Sequence, residues 1–276
     1  VRTFLPLGER AKTPRRPGPR PYHIQGPRRS TGRSHLGGER AWPGKRLLVH
    51  TSLITIELSE LITVQLQLDL VRLLLSLSDW LDWSQQGITN HHKQVAFACL
   101  GLGEEIGLDD DSLSRLFKAA SIHDIGAVTW NEKLSLTRFD LEHTRPHCRR
   151  GQYFVSESNL LSHLGTTILH HHDTWSGSNP GGVRGEEIPL FARIIHLCDR
   201  VSILIGRDDH VLNQRKAIVS RIRDLAGKAF DPELAAAFES PAQRESFWLD
   251  LAQPSLGFQL NSVAPVKLIS STAAEL

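Results

Sequence analysis

The sequence predicts an all-α fold, a bundle of about seven helices, on three observations. Apolar residues recur three and four positions apart in one segment after another. Capping residues, glycines and prolines punctuate those segments at helical lengths. No series of alternating apolar and polar runs of the kind that builds a sheet accompanies them.

Residues 1–46 stand apart from that bundle. They carry twelve Lys/Arg against two Asp/Glu, whereas the other 230 residues carry 20 against 28, so the globular part is acidic. They also hold seven of the 14 prolines and seven of the 21 glycines. So little apolar surface cannot offset the entropy of ordering, and the stretch is expected to be a disordered basic tail. Nucleic-acid binding by this tail is not expected; a solvated extension is the simpler reading. Residues 47–86 are leucine-rich, but Glu57, Glu60, Asp69, Arg72, Asp79 and Asp82 interrupt them, so no membrane span is available. Leu53 to Leu58 alternates and could pass for a strand. From Leu61 onward Leu70, Val71, Leu74, Leu75 and Leu77 read as an amphipathic helix packing on the core.

The main domain is expected over 87–250. A helix runs from Thr89 to Ile106, stopped by Gly107. Asp111 or Ser112 caps the next, which carries Leu113, Leu116, Phe117 and Ala120 on to His123 and ends near Gly126. Leu141 to Val155 and Asn159 to His172 supply two more, before the turn-rich Trp175–Gly182 stretch. Pro189 opens a helix over Leu190–Leu204. Helical stretches follow at Leu212–Lys228 and Pro232–Glu239, and 251–276 is read as a C-terminal tail. Cys99, Cys148 and Cys198 lie far apart and form no CxxC pair, which suits a reducing, cytoplasmic setting.

Ten of the 14 histidines fall between residues 91 and 196, several beside or one helical turn from another possible ligand. His123-Asp124 lies where an apolar helix runs into Gly126. A carboxylate can bridge two cations while the adjacent imidazole holds one. His147, His171-His172 and Asp199 supply partners, and Asp199 sits in the apolar run Phe191–Cys198, where burial of its charge demands a cation or a metal. An ion pair of Asp199 with Arg200 or Arg193 is the structural alternative. His92 is the weaker candidate beside His91. His143 is read as outer or surface, and His163, His170 and His196 as structural or solvent-facing.

The ordered segments His91-x-x-Gln94-Val95-Ala96, His123-Asp124-Ile125-Gly126, His147-x-x-x-Gly151 and His171-His172-Asp173-x-Trp175-x-Gly177 resemble the HD-GYP branch of the HD phosphohydrolases. That branch hydrolyses the bacterial messenger cyclic di-GMP. The resemblance continues through Gly181–Leu190, Ala192-Arg193-Ile194 and Asp199 to Phe230–Leu234. It implies an HD-domain bundle around a buried binuclear site, with His91, His123, Asp124 and Asp199 on one metal and Asp124, His147, His171 and His172 on the other. It implies two divalent ions, iron or manganese, and a donor set of nitrogen and oxygen also admits zinc or nickel. It further implies hydrolysis of cyclic di-GMP to pGpG or GMP through a metal-bridged hydroxide, with His123 and Asp124 as the catalytic pair. Arg184 is a candidate phosphate contact, and a homodimer or a signalling protein is an expected partner.

The chain departs from the branch at four places. Ala127 stands where a lysine near the substrate phosphate is usual, and Gly-Tyr-Pro is shortened to Asn179-Pro180. Gly87 replaces a glutamate that in some members supports a third metal, and Ile205–His210 replaces an arginine-rich segment. A weakly active or inactive cyclic-dinucleotide sensor, or a phosphohydrolase of another nucleotide, are therefore the alternatives.

Overall fold

The computed structural model describes residues 65–83, 90–139, 143–179, 181–265 and 269–272, all within one compact unit, Leu53–Leu276. The basic tail and the strand considered at Leu53–Leu58 lie outside these residues. Among the described residues the fold is helical, with eleven α-helices, two 3₁₀ turns and one small ribbon. Seven of the helices reach 12 residues or more, and the four short ones account for the excess over the expected seven.

The ribbon pairs β1 (Gln65–Leu68) antiparallel with β2 (Ile269–Thr272), Gln65 opposite Thr272 and Leu68 opposite Ile269. The helix expected from Leu61 therefore begins only at Leu70. Asp69 sets that start by accepting from the Arg72 amide at 3.1 Å. Helix α1 (Leu70–Trp83) buries Leu70, Val71, Leu74, Leu75, Ser78, Leu81 and Asp82, one helical face, and leaves Trp80 and Trp83 exposed.

Helix α2 (His91–Glu105) is the hub. It packs against α1, against α3 (Asp110–Ser121) and against α7 (Leu190–Leu204), as well as on the three C-terminal helices. Asp109, two residues before the expected cap, accepts from the Ser112 amide at 2.8 Å. The α3 helix stops at Ser121, short of His123, and residues 122–126 form a chain of turns. The cause is a close backbone crossing. A Cβ on Gly126 would stand 2.0 Å from the His147 carbonyl and 2.4 Å from the Gly151 amide, so the turn lies directly on α5 (Arg145–Ser156).

Helix α4 (Trp130–Leu136) was not anticipated, although Thr129 and Glu132 form a capping box that the sequence displays. The helix expected over Asn159–His172 is a 3₁₀ turn, Ser162–Leu164, followed by α6 (Gly165–His170), and His171 and His172 lie in the turn beyond. Helix α7 matches its expected span. Helices α8 (Val211–Asp224), α9 (Pro232–Gln243), α10 (Glu245–Ala252) and α11 (Leu256–Val263) complete the body. Trp248, Leu251, Leu256 and Leu260 are buried in the common core, so the helical body continues past residue 250. No helix among the described residues is long and apolar enough to cross a membrane.

Candidate metal centre

Five separate backbone positions deliver the site. His91 is the first residue of α2, His123 and Asp124 occupy the turn after α3, and His147 lies on α5. His171 and His172 follow α6, and Asp199 lies on α7. All seven are buried, none more than 6% exposed.

The two oxygens of Asp124 face different partners. Oδ1 lies 3.3 Å from His147 Nε2, 3.2 Å from His171 Nε2 and 3.5 Å from His172 Nε2, whereas Oδ2 lies 3.4 Å from His123 Nε2. Asp199 Oδ1 lies 3.3 Å from His91 Nε2 and 4.0 Å from His123 Nε2. Two groups of donors able to hold a metal ion result, Asp124 with His147, His171 and His172, and Asp124 with His91 and His123; Asp199 flanks the second.

The imidazoles are oriented from behind. His123 Nδ1 donates to the Ala120 carbonyl at 2.9 Å and His171 Nδ1 to the Ile168 carbonyl at 2.7 Å, each three residues back. A relay orients His91. Gln94 Nε2 donates to the Leu251 carbonyl at 3.0 Å, which presents Oε1 to the Ser202 hydroxyl at 2.7 Å, and Ser202 Oγ accepts from His91 Nδ1 at 3.0 Å. With Nδ1 protonated in each ring, the Nε2 lone pairs turn inward, the arrangement a cation needs. Arg200 holds the opposite wall. It donates to Asp199 Oδ2 at 2.8 and 3.2 Å and to the carbonyls of Leu136, Arg138 and Phe139. The Arg200 pair considered for Asp199 therefore exists, but it uses Oδ2 alone; Arg193 pairs with Asp231.

What remains unsatisfied is informative. His123 Nε2, both ring nitrogens of His172 and Asp199 Oδ1 are buried without a hydrogen-bond partner. Such orphans are costly, and four in one cluster fit a site completed by cations. Burial pushes the Asp124 carboxyl up, but His123, His147 and His171 outweigh it and hold the group well below the usual range. Burial likewise opposes ionisation of Asp199, and Arg200 and His91 prevail. Both carboxylates are thus anionic in a buried site, and divalent metal binding is compatible with the whole cluster.

Sequence reasoning missed Asp82 and Cys148 as neighbours of the cluster, and the structure sorts the other candidates. His92 is fully buried, with Nδ1 2.5 Å from Asp82 Oδ1, and belongs to neither donor group. Cys148 Sγ lies 3.5 Å from His147 Nε2 and 3.9 Å from His171 Nδ1. Arg184 lies outside the cluster, exposed on the turn before the 3₁₀ segment Gly185–Glu187. His143 is exposed, His170 pairs with Asp173 at 2.6 Å, and His196 is buried against Phe230.

The family model of the HD domain matches residues 88–204, a span that includes all seven residues. The cyclic di-GMP phosphodiesterase of Thermotoga maritima is 28% identical over 159 residues, 54% of this chain and 43% of that protein. A protein of Vibrio cholerae named probable cyclic di-GMP phosphodiesterase is 30% identical over 170 residues, 55% of this chain and 37% of its own length. The chain thus spans less than half the length of either relative. Among solved structures, a cyclic GMP-AMP specific phosphodiesterase of V. cholerae superposes with a TM-score of 0.62 at 18% identity, over 76% of this chain and 57% of that one. Over residues 88–204, the span that holds the donor cluster, this helical chain is thus similar to HD-domain proteins.

Proposed function

We propose that the chain is a metal-dependent phosphodiesterase that hydrolyses cyclic di-GMP to pGpG or GMP. The observation that carries this reading is the division of Asp124 between two groups of buried histidines, with orphaned nitrogens and oxygens facing inward. His91, His123, Asp124 and Asp199 would hold one divalent ion, and Asp124, His147, His171 and His172 the other, with iron or manganese the expected metals. Bound there, the ions would supply Lewis acidity, making water a nucleophile near neutral pH and offsetting charge on the phosphoryl oxygens.

The chain's own residues do the positioning. Asp124 fixes the spacing of the two groups, the Gln94–Ser202 relay sets the tilt of His91, and Arg200 holds Asp199. A cavity of about 860 Å³ opens on the His91 side, within the range of small-molecule sites. Its polar lining includes His91, Gln94, Arg207, Asp209, His210 and Gln253. Hydrolysis there adds hydroxyl to phosphorus and a proton to the departing 3′ oxygen. Arg184, exposed beside Gly177, is the candidate for an outer phosphate contact. Three buried free thiols suit a reducing, cytoplasmic setting.

One observation favours the weakly active sensor reading. Ala127 is buried and brings no charge to the position next to the His-Asp turn. The experiment that separates the readings uses protein purified without oxygen and loaded with iron or manganese. Metal content is measured on the same sample that is incubated with cyclic di-GMP. The phosphodiesterase reading expects pGpG or GMP, abolished by a chelator. Bound metal with no turnover would refute it in favour of the sensor or of a phosphohydrolase acting on another nucleotide.

A further inference from the structure

Apart from its histidines, the cavity that opens on the His91 side is lined by two charged side chains, Arg207 and Asp209. Both come from the loop that joins α7 to α8, and Asp208 between them takes no part in the lining. Gln214, in the first turn of α8, holds this loop in shape. Its Oε1 accepts from the Gly206 amide at 2.7 Å, and its Nε2 donates to the Gly206 and Asp209 carbonyls at 3.0 and 2.7 Å.

The Asp209 side chain is held as well. Its Oδ1 accepts from the His210 amide at 2.7 Å and from Asn213 Nδ2 at 2.8 Å. Its Oδ2 has no protein partner among the described residues, and no ion pair there joins it to Arg207. One oxygen braces the loop, and the other is left to whatever enters the cavity. Apolar side chains share the lining, among them Ile203, Ile205, Leu249 and Pro254, and Leu249 is 45% exposed. A flat ring could cover these apolar groups while its edge met the carboxylate.

A purine has that form, two apolar faces and a hydrogen-bonding edge. An ionised carboxylate only accepts hydrogen bonds. Guanine turns two donors outward on its edge, N1–H and the 2-amino group, whereas adenine presents N1 as an acceptor. A fixed carboxylate therefore attracts the first base and repels the second. We infer that Asp209 is the guanine-reading residue of this site, accepting from one base while the phosphodiester lies toward His91. This rests on the phosphodiesterase reading and adds the residue that sets the base.

The test compares wild type, Asp209→Asn and Asp208→Asn, each loaded with manganese. Metal content, melting temperature, binding of GMP and of AMP, and turnover of cyclic di-GMP are measured on each. Wild type should bind GMP at least about 10-fold more tightly than AMP, the scale of hydrogen bonds to a charged group. Asp209→Asn keeps an oxygen for His210 and Asn213 but puts a donor in place of Oδ2. It should bring the two affinities close together by weakening GMP alone, with metal content and melting unchanged, and lose at least about 10-fold in kcat/KM. Asp208→Asn removes the same charge from the same loop outside the cavity and should keep the wild-type preference. An unchanged preference in Asp209→Asn overturns the inference, as does a wild type that binds both nucleotides alike. Equal weakening of GMP and AMP also overturns it, because Asp209 would then only brace the loop. An equal shift in Asp208→Asn does the same, since loop charge alone would set the preference. If the preference for GMP depends on Asp209 yet wild type leaves cyclic di-GMP intact, the inference stands and the phosphodiesterase reading falls.

Discussion

Gly126 and Gly151 give the sharpest test of how the metal centre is built, because the turn holding His123 and Asp124 meets α5 through backbone alone. In Gly126→Ala the new Cβ would lie 2.0 Å from the His147 carbonyl oxygen and 2.4 Å from the Gly151 amide. Ordinary contact begins near 3.4 Å, so the backbones must part by about 1.4 Å, and neither contacting atom belongs to a side chain that can rotate away. His147 and Asp124, 3.3 Å apart, would be carried apart with them. Overpacking of this kind costs at least about 3 kcal/mol, or roughly 6–12 °C in Tm for a domain of this size. Gly151→Ala meets first the Ile168 Cγ2 at 2.7 Å, a side-chain methyl that can shift, and should cost less than half as much. Thermal unfolding with and without manganese, together with metal content after dialysis, reads both variants. Gly126→Ala should lose metal as well as stability. If it melts within about 2 °C of wild type and retains its metal, the close crossing does not hold the site, and the reasoning is refuted.

Asp124→Ala should lose both metals and all activity, since both donor groups share this residue; wild-type metal content would sink the ligand assignment. Ser202→Ala removes the acceptor behind His91 and should weaken binding of one metal about 10- to 100-fold, read by competition with a chromophoric chelator. Equal affinities would show that the relay has no hold on the ring. Burial, reinforced by Arg200, depresses the His196 pKa from 6.5 to about 4, so its contribution to stability is complete above pH 6.5 and is lost as pH falls toward 4. That contribution is about 3 kcal/mol, and the fall in Tm between about pH 7 and pH 5 should be smaller in His196→Gln than in wild type. An equal fall would locate the acid sensitivity elsewhere.

The seven clustered residues could be named from the sequence because each is marked by its neighbours. A carboxylate in an apolar run, paired histidines before a turn and glycines at fixed offsets are all local signals. The glycines proved to mark a close crossing of two backbones, which explains why one sits two residues after Asp124 and another four after His147. Helix α7, a continuous apolar run behind Pro189, was readable to the residue. Helix α4 was missed because its apolar pattern is only seven residues long, although its capping box was in plain view. The α3 end was misplaced because a tertiary contact, the crossing at Gly126, ends the helix where propensity alone would continue it. The residues behind the clustered side chains were illegible for a different reason. Ser202 lies 111 residues from His91, and Asp82 belongs to another helix from His92, so no local pattern announces either pairing.

The same structure explains why such a cluster is compatible with divalent metal binding. Two carboxylates and five imidazoles are packed where water is excluded, and the Nδ1 hydrogen bonds of His91, His123 and His171 turn the basic nitrogens toward the carboxylates. Lone pairs then face lone pairs. Protons can relieve part of this, and His171, held well above its usual value against burial by Cys148 and Asp124, would carry one. His172, pushed well below by burial and by His171, would not. Both its nitrogens therefore stay without partners, beside an Asp199 oxygen in the same condition. Protonation alone leaves these atoms unsatisfied, whereas cations held by the two groups that share Asp124 would supply the missing partners.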